Sequence, residues 1–164
     1  MQPVWKEPPS IDKITDKLYL GNECGAHNQE MLTKLGITHI LVAGNYLHQK
    51  FPKNYKYLKL PLIDRPKQDL FAHLQDAFDY IDSGEKVLVH CAGGMSRSAS
   101  IVIAYVMVKN KWKYEETYKF LKEKRPIVCP NEGFVTQLKQ LEEMIEKEDL
   151  DLARFSMRFL SKKL

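Results

Sequence analysis

The chain has 164 residues, 44% of them hydrophobic and 28% charged, with a formal net charge of +4. That is the size and balance of one globular domain with a substantial core, and no stretch approaches the ~20 apolar residues that a membrane span requires. The charge is too small and too scattered for a nucleic-acid-binding face, although a mild positive field helps to draw in an anionic substrate.

The segment MQPVWKEPPS has no apolar signal core, Gln2 does not suit N-myristoylation, and SKKL at the other end is no prenylation box. Cytoplasmic or nuclear residence is the expectation. Cys24, Cys91 and Cys129 are odd in number and include no close pair. This argues against a disulfide framework and against a tetrahedral zinc site, so no metal is expected.

In chain order, residues 1–12 are rich in proline and charge and read as an extended N-terminal segment. KLYLGN, residues 17–22, has the composition of a short strand. Residues 28–36 read as a helix closed by Gly36, and ITHILVAG, residues 37–44, as a buried strand. Residues 55–64 alternate and are β-rich, followed by the exposed loop DRPKQD. Leu70, Phe71, Leu74, Phe78 and Ile81 recur at helical spacing up to Gly84. KVLVH, residues 86–90, is the short continuous apolar run of a strand buried on both faces.

Helices over 97–110 and 114–125 follow, then the Pro-bounded loop RPIVCPNEGF and a last helix from Asn131, a suitable N-cap, to about residue 147. Strands alternating with helices predict one α/β domain over 13–148, with a central, mostly parallel mixed sheet of about five strands flanked by helices. In the tail, 149–164, Leu150, Ala153, Met157, Leu160 and Leu164 share one helical stripe. A terminal helix docked on its own domain is the plain reading. A dimer contact, a partner site or a membrane-surface helix are the alternatives.

Chemistry concentrates in HCAGGMSRS, residues 90–98. A strand ends at His90 and a helix starts at Arg97, so the six residues between them must turn sharply while their N–H groups lack helical partners. Gly93 and Gly94 permit the dihedrals and the close approach of such a turn. The amides of Ala92, Gly93, Gly94, Met95 and Ser96 then converge on an anion site at the helix N-terminus. Arg97 adds a planar fork that grips two oxygens of a phosphate at once.

A thiol in that positive setting ionises more readily than a free one, which makes Cys91 the nucleophile for in-line attack on a bound phosphate ester. Ser98 is placed to hydrogen-bond the sulfur as it leaves. The leaving oxygen needs a proton from a separate loop, and Asp64, at the end of YLKLPLI near the carboxyl edge of the sheet, is the candidate general acid. Asp69 is the runner-up, although its place before a helix suits an N-cap. His90 reads either as a satisfied strand-end histidine or as a functional one. Cys24 and Cys129 read as structural, with a reversible disulfide from one of them to Cys91 under oxidation as the alternative.

These residues resemble the dual-specificity phosphatases of the cysteine-dependent protein tyrosine phosphatase superfamily. The shared signature His-Cys-x5-Arg-Ser/Thr is met by His90, Cys91, Arg97 and Ser98, and GMSRS, AYVM, LYLGN, LPLID and CPNEGF agree with it elsewhere. The likeness covers roughly residues 13–145 and implies a protein tyrosine phosphatase-like fold. It implies hydrolysis of phosphotyrosine and phosphoserine or phosphothreonine in proteins through a phosphocysteine, without a cofactor.

By the same resemblance, His90 shapes the loop and tunes the thiolate, and a chain with no added rhodanese-like module or kinase-docking segment is a small atypical member. The cradle has no lysine among its variable residues, which disfavours phosphoinositides and RNA 5′-triphosphates as substrates. A module that binds phosphoproteins without turning them over is the reading from another class. Intact Cys91, Arg97 and Asp64 argue against it.

Overall fold

The computed structural model describes residues 7–152. The strands are β1 (Ile11–Lys13), β2 (Leu18–Gly21), β3 (His39–Ala43), β4 (Lys56–Leu60) and β5 (Val87–His90). The helices are α1 (Glu23–Ala26), α2 (Gln29–Leu35), α3 (Phe71–Ser83), α4 (Arg97–Asn110), α5 (Tyr114–Lys124) and α6 (Glu132–Glu146). The strands form one five-stranded sheet in the order β1-β2-β5-β3-β4. Only the β1–β2 pair is antiparallel.

β5 lies at the centre of the sheet, as its unbroken apolar run requires, with Leu88 opposite Tyr19 on one side and Ile40 on the other. Every residue of β2, β3 and β5 is buried, so both faces of the central strands are covered. β4, at the edge, buries only Leu60 fully. α4 packs on β2, β3 and β5 and is flanked by α3, α5 and α6. Ten of its fourteen residues are buried, including both serines near its start.

Three elements differ from the sequence expectation. β1 lies across the 12/13 boundary of the expected lead-in, where antiparallel pairing with β2 gives three residues a partner that local pattern does not reveal. α1 is a four-residue turn capped by the Asn22 side chain, too short to show a period. The strand expected over 55–64 ends at Leu60, because Pro61 has no N–H for a ladder and residues 61–69 form the loop that carries Asp64. α2 and α6 begin at side-chain caps, Asn28 and Asn131, and α2 ends at Gly36 in the left-handed region.

Among the described residues no helix is long and apolar enough to cross a membrane. Of the tail, Leu152 is buried and Leu150 exposed, while the stripe from Ala153 to Leu164 lies outside the described residues.

Candidate active site

The β5–α4 connection is organised by where its carbonyls go. Each carbonyl from residue 91 to 96 is engaged by a group outside the loop or at its flanks. The Cys91 oxygen lies 3.2 Å from His90 Nδ1, and the Ala92 oxygen accepts from the Glu23 amide at 3.0 Å. The Gly93 and Gly94 oxygens accept from Arg125 Nη2 and Nε at 3.1 and 2.9 Å. The Met95 oxygen accepts from the Cys129 amide at 2.8 Å, and the Ser96 oxygen from the amide and hydroxyl of Ser100.

With the oxygens committed outward, the peptide planes turn their N–H groups inward. The Gly94 amide donates to Cys91 Sγ at 3.2 Å, whereas the amides of Ala92, Gly93, Met95, Ser96 and Arg97 have no protein acceptor among the described residues. Gly94 sits at φ 65°, and a Cβ there would lie 2.4 Å from the Gly21 carbonyl oxygen. The turn therefore requires glycine at this position.

Cys91 is 2% exposed at the floor of this ring, and Ser98 Oγ donates to its sulfur at 3.1 Å. These two contacts fix the sulfur at the base of the loop. His90 is wholly buried, and burial lowers its pKa from the ordinary 6.5 to about 4, so it is neutral at pH 7. A neutral ring with Nδ1 protonated donates to the Cys91 carbonyl and holds that peptide plane.

Arg97, at the first turn of α4, is 5% exposed, yet its Nε and Nη1 have no hydrogen-bond partner among the described residues. Its Nη2 donates to the Tyr46 hydroxyl at 2.8 Å, and the guanidinium lies over the Tyr46 ring, 5.2 Å from the centroid. Two buried, unpartnered guanidinium donors beside a ring of inward amides form an oxyanion site.

Asp64 stands over the rim. Its Oδ1 accepts from Ser96 Oγ at 2.7 Å and from Asn131 Nδ2 at 2.9 Å, which leaves Oδ2 without a protein partner among the described residues. Ser96 Oγ also accepts the Asn131 amide at 2.9 Å, so the Asp64 loop, the cradle and the start of α6 share one network. Asp69 is instead buried at the base of α3, where it accepts from the Ala72 amide at 3.3 Å.

The structure thus brings together Cys91, Arg97, Ser98, His90, Asp64 and the backbone of residues 92–96. All three cysteines are free, with Cys24 half-buried and Cys129 exposed. Sequence reasoning missed Tyr46, Arg125 and the second role of Asn131. Tyr46 follows β3, whose carboxyl end lies beside that of β5, and loops at that edge are where such sheets bind ligands. Arg125 carried no local signal.

Sheet, cradle and buried sulfur define a cysteine-centred oxyanion site in an α/β domain. The chain belongs to the dual specificity phosphatase catalytic domain family, whose model matches residues 18–144. It is 38% identical over 139 residues to a probable rhodanese domain-containing dual specificity protein phosphatase of Dictyostelium discoideum, covering 82% of this chain and 29% of that protein. It is 38% identical over 137 residues to dual specificity protein phosphatase 1 of Mus musculus, covering 81% of this chain and 37% of the relative. The chain therefore spans about a third of the length of these relatives. Among solved structures, the human tyrosine phosphatase-like serine/threonine/tyrosine-interacting protein superposes with a TM-score of 0.78 at 33% identity, covering 83% of this chain and 97% of that one.

Proposed function

We propose that the chain is a dual-specificity protein phosphatase that hydrolyses phosphotyrosine and phosphoserine or phosphothreonine monoesters. The observation that carries this reading is Cys91 Sγ at the floor of a loop whose carbonyls are held outward, receiving the Gly94 amide and the Ser98 hydroxyl.

With the phosphate seated on the amides and on Arg97 Nε and Nη1, the Cys91 thiolate attacks phosphorus in line with the ester oxygen. The S–P bond forms as the P–O bond breaks, and Asp64 Oδ2 gives its proton to the departing oxygen. Water then attacks the phosphocysteine, its proton passes to Asp64, and the S–P bond breaks with the sulfur stabilised by Ser98 Oγ. Inorganic phosphate and the dephosphorylated side chain are the products. The ring of amides and Arg97 meets the charge on the equatorial oxygens throughout.

The test is hydrolysis of an aryl phosphate and of phosphopeptides by wild type and Cys91→Ser, with chelator present. Turnover by wild type alone is expected, with Cys91→Ser retaining phosphopeptide binding. Binding without turnover in the wild type overturns the enzyme reading and makes the cradle a reader of phosphate.

A further inference from the structure

Among the described residues Arg125 is the largest fully buried side chain, 1% exposed at the carboxyl end of α5, and it carries a full charge there. Four of its bonds divide evenly between two regions distant in sequence. Nε and Nη2 hold the carbonyls of Gly94 and Gly93, while Nη1 donates to Ser10 Oγ at 2.5 Å and to Asp12 Oδ2 at 2.7 Å.

Ser10 and Asp12 precede the family match at residue 18, but their seat is built as closely as the cradle itself. The Asn22 side chain accepts from the Ser10 amide at 3.0 Å and donates to the Pro8 carbonyl at 2.9 Å, and the Asn22 amide donates to the Ser10 carbonyl at 3.0 Å. A Cβ on Gly25 would lie 2.6 Å from that same Ser10 oxygen.

We propose that Arg125, held by Ser10 and Asp12, is a positioning residue for the oxyanion cradle, and that residues 8–12 thereby belong to the catalytic apparatus. Two peptide planes must face one particular way for the cradle to bind an anion. A Gly-Gly stretch is the least restrained backbone available, and turning either plane over would aim a carbonyl dipole at the bound anion in place of an amide. Arg125 opposes this with charge-assisted bonds to both oxygens, and a turned plane would also strip a buried guanidinium of an acceptor. Asp12 supplies the negative charge that lets the guanidinium remain buried, and Ser10 fixes its azimuth. The proposal rests on the cradle being the phosphate site.

The experiment uses the full chain and orthovanadate, a phosphate mimic, with three readouts: vanadate inhibition, kcat and KM on an aryl phosphate, and the thermal midpoint. Asp12→Ala and Arg125→Met are compared with the conservative Asp12→Asn and Arg125→Lys. Arg125→Met is expected to weaken vanadate and lower kcat on the order of 100-fold, the scale of losing an oxyanion donor. Asp12→Ala is expected to lower the midpoint by unpairing the buried guanidinium and to weaken vanadate about tenfold beyond what the unfolded fraction explains. Asp12→Asn, which keeps an acceptor oxygen, is expected to recover part of both.

Should Arg125→Met fail to fold, the two Asp12 variants and Arg125→Lys carry the test. An active wild type with vanadate affinity and kcat unchanged in Asp12→Ala and Arg125→Lys overturns the positioning role alone. So does loss of activity that tracks only the fraction unfolded. A wild type that neither hydrolyses the ester nor binds vanadate overturns the phosphatase reading itself.

Discussion

At the residue scale, the site depends on groups that are buried and either fully bonded or deliberately unbonded. Arg97 belongs to the second kind, with Nε and Nη1 unpartnered among the described residues and Nη2 anchored on Tyr46. Tyr46→Phe removes the hydroxyl acceptor but keeps the ring under the guanidinium. A rise in KM of a few-fold with a small change in kcat is expected, since one neutral acceptor on a cation contributes about 1.5–3 kcal/mol at most. Steady-state kinetics on an aryl phosphate measures it, and an unchanged KM would show that the ring alone orients Arg97. Asp64→Asn keeps the oxygen that Ser96 and Asn131 hold but cannot donate an acidic proton. Turnover of phosphopeptides should fall about 10²-fold or more, with much less loss on an aryl phosphate whose leaving group needs little protonation. Equal losses on both substrates would remove Asp64 as the general acid.

At the scale of elements, α6 is more than a cover for α4. Its cap, Asn131, uses Oδ1 on the Phe134 amide at 2.9 Å and Nδ2 on Asp64, so one side chain both starts a helix and holds the Asp64 carboxylate. Asn131→Ala is expected to cost about 1 kcal/mol of stability through the lost cap. It should also lower kcat on phosphopeptides several-fold through the loosened Asp64. Asn131→Asp separates the two roles, because aspartate caps as well as asparagine but sets a like charge against Asp64. Denaturant melts should show Asn131→Asp close to wild type, while its phosphopeptide turnover falls at least as far as that of Asn131→Ala. Coincident stability losses in the two variants would deny the capping role.

β5 shows why an element can be read so directly. Its continuous apolar run has one stable location, the middle of a covered parallel sheet, and the turn that follows must then open at the carboxyl edge. α1 and β1 escaped reading for the opposite reason. Three or four residues carry no period, and their conformation comes from Asn22 and from pairing with β2.

For the whole molecule, His90 links the site to global stability. Its folded pKa of about 4 lies below the ordinary 6.5, so the unfolded chain takes up the proton first as pH falls. Stability from this group is therefore complete above pH 6.5 and is lost progressively between 6.5 and 4, by roughly 3 kcal/mol in all. His39 and His73 are shifted in the same direction by burial, so the comparison must be with a variant. Urea midpoints at pH 7 and pH 5.5 should fall less in His90→Asn than in wild type, and parallel falls would show that His90 does not carry the dependence.

The sequence by itself determined the α/β class, the order and character of the longer elements and the content of the cradle. Those properties are local: periodicity spans a few turns, and Cys91, the glycines, Arg97 and Ser98 are contiguous, so strand, turn and helix must bring them together. Only the tertiary structure decided what holds that loop in its working form. Arg125 reaches the cradle from one side while Ser10 and Asp12, 115 and 113 residues away in sequence, hold it from the other. Tyr46, Asp64 and Asn131 likewise meet the loop from three separate connections. No periodicity or spacing encodes such contacts, because they arise when the packing of α4 on a buried sheet brings distant loops to one edge.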